Sequence, residues 1–271
     1  MEDWQKTDPA STRPFRDSYG ELEFTTDGTT VNTLDGWREV RVGIFSLREL
    51  GPSALTSEWE TRRLPRPHIS VAFAAIEEKE VFRRRFGSWA HRLKITDRLE
   101  TMSTLGDGAH WIWDACHLEF GKTLENLDIY HALENLSNCG KTLFSAESLE
   151  LAAWQRETKL LLLEDGYEGI HAFLTRQKTV LTDETDAIKL KAVESVDGYL
   201  TWHKTRLSYR ERLWQGRAIG SGQVEGACKN LIGARLKQTG ARWREDRVNR
   251  MGMVLSLFYT DQWAEYWKQA S

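Results

Sequence analysis

The chain reads as an α/β protein built on a mixed sheet, and three observations predict this. Two alternating runs, residues 21–27 and 37–45, flank an Asp35-Gly36 turn, the pattern of an antiparallel hairpin. Extended and helical patterns then follow as strand, helix, strand, helix, strand, an order that lays helices on the faces of a sheet. From about residue 131 to 212 almost everything favours helix.

Residues 1–20 are polar, carry Pro9 and Pro14, and read as a loose lead-in. Residues 21–27 alternate as a first strand ending at Asp27. Thr33-Leu34-Asp35-Gly36 is the turn, and 37–45 the second strand. Residues 46–67 are irregular, with Arg62, Arg63 and Arg66 around Pro65 and Pro67. A third strand is expected at 68–73 and a helix at 76–93, with Val81, Phe82, Phe86 and Trp89 on its apolar positions. A fourth extended run, 98–106, leads into Asp107. A helix at 109–119 carries Trp111, Ile112, Ala115 and Leu118 on one stripe, and a short fifth strand, 123–128, runs into Asp128. Within the helical stretch, Asp165-Gly166 is a break and Thr182 to Asp186 starts a helix. Gly216 to Gly222 is a glycine-rich loop. Glu225 to Leu236 and 245–269 are the last helices. The expected organisation is therefore a sheet-bearing part at 21–131, an all-helical insertion at 132–212 and a closing part at 213–271.

A chain of 271 residues is long enough to bury a full core. The net charge of −3 shows no global preference for nucleic acid, so any such role rests on local patches. Three cysteines, Cys116, Cys139 and Cys228, stand far apart without a CxxC pair. That argues against a disulfide framework or zinc site and fits a reducing cytoplasm. No apolar run is long enough to span a bilayer, so no membrane partner is expected. The N-terminus has neither the basic start nor the apolar stretch of a secretory signal. Twelve tryptophans read mainly as core anchors.

Three acidic residues stand out. Asp27 and Asp107 each follow an extended run and precede a glycine, and Glu225 sits just inside a helix start. Each has a plain reading: a turn aspartate, a helix N-cap and a first-turn glutamate favoured by the helix dipole. Together, two strand-end carboxylates and one helix carboxylate suit a pair of divalent cations of the kind used in phosphodiester chemistry. Asp128 and His131 form a second pair, read either as a capped helix start or as a structural pair near the metals or DNA. His110 and His117 have no metal spacing with other residues. Gly220-Ser221-Gly222 admits close backbone approach, and there a phosphate or a plain Ser221 cap is expected. Finally, Lys229, Arg235, Lys237, Arg242, Arg244, Arg247 and Arg250 make a local basic run interleaved with Trp243. That run reads as a phosphate-neutralising surface with a stacking ring, or as a solvated helix face.

At these residues the chain resembles bacterial insertion-sequence DDE transposases of the ISKra type, relatives of the Mutator-like group. The matching stretches are Asp27-Gly28 with Leu34 to Val40, Leu105 to Trp113, Leu127 to Ala132, Ile219 to Lys229 and Arg235 to Trp243, spread over roughly residues 21–267. The resemblance implies a ribonuclease-H-like fold with a helical insertion before the last catalytic helix. It implies Asp27, Asp107 and Glu225 as ligands of two Mg2+ or Mn2+ ions, with Asp128 and His131 matching an Asp-x-x-His signature. The implied activity is DNA transposition: hydrolysis at transposon ends, then strand transfer by the freed 3′-hydroxyl. The implied partners are transposon-end and target DNA, and further copies of the chain assembled on DNA. Relatives usually carry an end-reading region upstream, and too few residues precede Asp27 to hold one. A separately encoded DNA-binding region is therefore expected. A non-catalytic DNA-binding remnant, or one product of a split transposase gene, is the alternative.

Overall fold

The computed structural model describes residues 15, 19–181, 186–260 and 263–270. Most of the expected lead-in at 1–20, and most of the helix start at 182–186, lie outside these residues. The chain forms two compact units. The first comprises residues 1–49, 65–124 and 221–271, and the second 50–64 and 125–220.

The first unit is built on a sheet. Strands β1 (Glu21–Thr33) and β2 (Gly36–Arg48) form the expected hairpin, paired from Glu21↔Arg48 to Thr33↔Gly36. The left-handed backbone at its turn falls on Gly36 (φ 99°), where no Cβ resists it. Strand β3 (Ile69–Ala75) runs antiparallel to β2, and β4 (Ser103–Gly106) runs parallel to β1. With β5 (Leu124–Leu127), at which the chain passes into the second unit, the order is β3-β2-β1-β4-β5, a mixed sheet as the element order predicts.

Three boundaries differ from the sequence reading. β1 does not end at Asp27. Thr29, Thr30, Val31 and Thr33, all β-branched, continue the ladder against β2, which outweighs the turn tendency of Asp27-Gly28. The expected extended run at 98–106 is a 3-10 helix over Thr96–Thr101, and only Ser103–Gly106 is strand. The single last helix is two, separated after Thr260.

Alternation along the strands divides the unit into two cores. On one face Leu22, Phe24, Phe45, Leu47 and Phe73 pack with helices α1 (Lys79–Arg92) and α2 (His110–Phe120). Phe24 is the hub, its ring 4.7 Å from those of Phe45 and Phe86 and 5.0 Å from Phe120. On the other face Val31, Val40, Val42, Ile44, Ala72 and Ala74 meet the C-terminal segments. These start with α-helix over Gly222–Ala227, pass through π-helix over Cys228–Gly233 and end in a short turn at Ala234–Leu236, in place of one uniform helix from Glu225. A further helix, Glu245–Tyr259, crosses β3 closely because Gly252 has no side chain to hold it off Ala74.

The second unit is helical. Its α3 (Ile129–Leu143), α4 (Leu149–Val180), α5 (Ala187–Trp202) and α6 (Tyr209–Trp214) enclose a core around Leu136, Trp154, Leu162, Leu174, Leu200 and Tyr209. The expected break at Asp165-Gly166 appears as a kink in α4, where Gly166 takes φ 57° and ψ −134°. Residues 50–64 join this unit through backbone bonds such as Gly51 N to Gly216 O (2.9 Å) and Ala54 N to Leu213 O (3.1 Å).

Gly43 of β2 lies under Phe73 so closely that a methyl group there would overlap the ring. Gly43→Ala is expected to lower stability by about 1–3 kcal/mol through overpacking. Urea unfolding checks this, and an unchanged midpoint would show that Phe73 repacks freely.

Candidate active site and nucleic-acid interface

Parallel pairing fixes the two aspartates. The last Cα partners of β1 and β4 are Thr25↔Leu105; Asp27 lies two residues further along β1, and Asp107 lies just past the end of β4. Asp27 falls on the alternation that carries Val31, opposite Val42, and so faces the segment bearing Glu225. Both aspartates are half-buried and Glu225 is exposed.

Asp27 Oδ1 accepts from Gly28 N at 2.6 Å, and Asp107 Oδ1 accepts from Ala109 N at 2.9 Å. Gly108, at φ 99°, makes the sharp turn into α2. Asp107 is thus an Asx-turn residue three positions before the helix, not the residue at its cap, which is Ala109. Glu225 Oε1 lies 3.4 Å from Ser221 Oγ.

Cys228 links the group. It sits one helical turn beyond Glu225 and hydrogen-bonds Asp27. Burial pushes its thiol well above the usual range, and the Asp27 carboxylate adds to this, with a smaller contribution from Glu225. The carboxylate oxygens of Asp27 and Glu225 beside it are donors of the kind that suits a hard divalent cation. Among the described residues no three His, Cys, Asp or Glu side chains gather closely enough to hold one ion. The three carboxylates therefore do not form a closed three-ligand cage among the described residues.

Asp128 and His131 belong to the second unit. Asp128 is fully buried and caps α3, its Oδ1 accepting from Tyr130 N (2.7 Å) and His131 N (3.2 Å). Burial first and the Asp128 charge second push the Tyr209 phenol well above its usual value, and that hydroxyl donates to Leu127 O. The His131 ring lies 3.9 Å from Glu134 along the same helix. This geometry is that of a helix start.

Ser221 is buried and precedes the Gly222 helix without capping it through its side chain. Lys229, Arg235, Arg242 and Arg244 are exposed, and Lys237 Nζ donates to Thr29 Oγ1 at 2.6 Å. Arg244, Arg247 and Arg250 share Asp246 at 3.3–4.0 Å, surface pairs that hold these cations weakly. Trp243 is half-buried against the second core, and its Nε1 donates to Leu236 O at 3.0 Å.

Sequence reasoning missed a buried polar layer on the Asp27 face of the sheet. Glu23 pairs with Arg48, Glu21 accepts from Ser103 Oγ at 2.5 Å, and Gln223 bridges Ser46 (2.8 Å) and Ser70 (3.1 Å). Alternation places these side chains correctly on one face but reads polar as exposed. A cleft of about 1210 Å³ in the second unit, beside the Gly166 kink and Trp214, holds none of the candidate site residues read from sequence.

Two outcomes follow. Asp128→Ala should cost about 1–2 kcal/mol through loss of the cap, and Asp128→Asn much less; equal effects in thermal unfolding would assign Asp128 something beyond capping. Burial also pushes the Cys139 thiol of α3 from 9.0 up to about 11. Between those values the folded chain keeps a proton that the unfolded chain has lost, so stability falls as pH rises from about 9 to 11. Cys139→Ala should flatten that slope in melting curves, and an unaltered slope would remove Cys139 as its source.

Compared with protein-family models the chain matches none, and among curated proteins no match is found.

Proposed function

We propose that this chain is the catalytic region of a DDE transposase, with a ribonuclease-H-like sheet and an all-helical insertion before the Glu225 segment. The observation that carries this reading is that Asp27 on β1 faces the segment bearing Glu225, whose Cys228 bonds Asp27, while Asp107 directly follows β4, the parallel neighbour of β1.

In this reading Asp27, Asp107 and Glu225 hold Mg2+ or Mn2+, two ions in all. Such ions supply Lewis acidity and an activated oxygen for attack on phosphorus. The chain's own contribution is position. Pairing to Val42 of β2 fixes the backbone of Asp27, the Gly108 turn follows Asp107, and the Cys228 thiol bonds Asp27. The reaction is hydrolysis at transposon ends followed by strand transfer by the 3′-hydroxyl. The basic run from Lys229 to Arg250 engages the phosphates. Partners are end and target DNA in the cytoplasm and other copies of the chain. Asp128 and His131 shape the helix start of the second unit.

A second reading has its own support. Asp27 and Asp107 each bond their following backbone N–H, and no closed three-ligand cluster forms among the described residues. A DNA-binding protein without catalysis would look like this.

Manganese calorimetry with wild type, Asp27→Asn and Glu225→Gln, alongside DNA nicking, separates the two. Weakened binding and at least 100-fold slower nicking (about 2.7 kcal/mol or more) in both variants are expected. Wild-type nicking by Asp27→Asn would remove that residue from the mechanism. DNA binding that persists in EDTA, with no cleavage under any metal, would favour the second reading.

A further inference from the structure

The hairpin tip and the basic run are one surface. Trp243 lies beside the β1 end in a parallel bridge with Thr33, its backbone N–H donating to Asn32 O (3.0 Å) and its carbonyl accepting from Leu34 N (2.8 Å). Arg38 Nε donates to Glu245 Oε1 at 2.7 Å, a second tie between hairpin and run. The Trp243 indole N–H is engaged by Leu236 O, and its ring is packed. What these ties present to solvent is Trp37, 66% exposed, with Leu34, 56% exposed, across the turn.

A tryptophan held this far out of a core on a tied tip calls for a ligand with an apolar face. The surroundings specify its charge. Lys229 to Arg250 carry seven cations and two carboxylates in a chain whose net charge is −3. Arg38, Arg242 and Arg244 are the cations nearest in sequence to the tip and the Trp243 bridge. An exposed aromatic on a tip tied to a cation-rich segment matches the face of a base and the charge of its phosphates.

We infer that Trp37 is the residue on which an unpaired base of a nucleic-acid strand stacks, and that Trp243 is the pin that holds the hairpin tip to the phosphate-binding run. This rests on reading the basic run as a nucleic-acid surface, and it is independent of the metal site.

The test is fluorescence anisotropy in EDTA, at low salt, with labelled oligothymidylate and with a blunt duplex of the same length. Wild type, Trp37→Ala, Trp37→Phe and Arg244→Ala are compared, each checked by circular dichroism for an unchanged fold. Trp37→Ala should weaken oligothymidylate binding roughly 5- to 100-fold, Trp37→Phe should restore most of it, and the duplex should be affected less. Arg244→Ala should weaken both ligands and reduce the salt slope. Wild-type affinity of Trp37→Ala, equal losses on both ligands, or no binding by wild type would each overturn the proposal. So would a Trp37→Ala variant that alters only the oligomeric state in light scattering, which would assign the tip to contact between copies of this chain. Because metal is absent, failure here is distinct from failure of the catalytic reading, which shows only in nicking.

Discussion

The first unit depends on β1 being paired on both edges. Its antiparallel ladder to β2 runs the full length of both strands, and its parallel pairing to β4 joins segments about eighty residues apart. Because side chains alternate across a strand, that one element sends Phe24 into one core and Val31 into the other. A slip of one residue would exchange the two cores and turn Asp27 away from the segment that carries Glu225. Register here fixes both the packing and the relation of the carboxylates.

Electrostatics in the same unit follows burial more than net charge. Two glutamates and an arginine are hidden near the start of the hairpin, with Glu23 and Arg48 paired. Removing one partner of such a pair leaves an uncompensated charge and costs several kcal/mol, although the intact pair itself adds little. Cys228 answers the same constraint differently. Beside a half-buried carboxylate it stays a neutral donor, so no second negative charge is placed there.

The hairpin, the alternating order of strands and helices, the helical stretch and the Gly166 kink were legible because each is a local signal: a turn dipeptide, a period, a backbone breaker. Less legible were features set by distant partners. Nothing local to Asp27 says that the strand runs on to Thr33, because the ladder to β2 decides it. Nothing local to residues 50–64 says that they join the second unit, and the polar spacing of Glu21 and Glu23 reads as solvent-facing although both are buried. The π-helical turns at Cys228–Gly233 leave no periodic signature in six residues. Trp243 was singled out for its basic neighbours, whereas its backbone is tied to Asn32, Thr33 and Leu34, more than two hundred residues away in sequence.

The division of the first unit among three stretches of chain has a consequence in time. The apolar face formed by Val31, Val40, Val42, Ile44, Ala72 and Ala74 is complete once residue 75 has been made, but residues 224–248, which cover it, come last. At ribosomal speeds the interval is on the order of ten seconds. The helical unit, begun at residues 50–64, is completed at residue 220, inside that interval. The nascent sheet therefore waits with one greasy face bare while its neighbour already has all of its residues, and that window is where chaperone demand and aggregation risk for this chain concentrate.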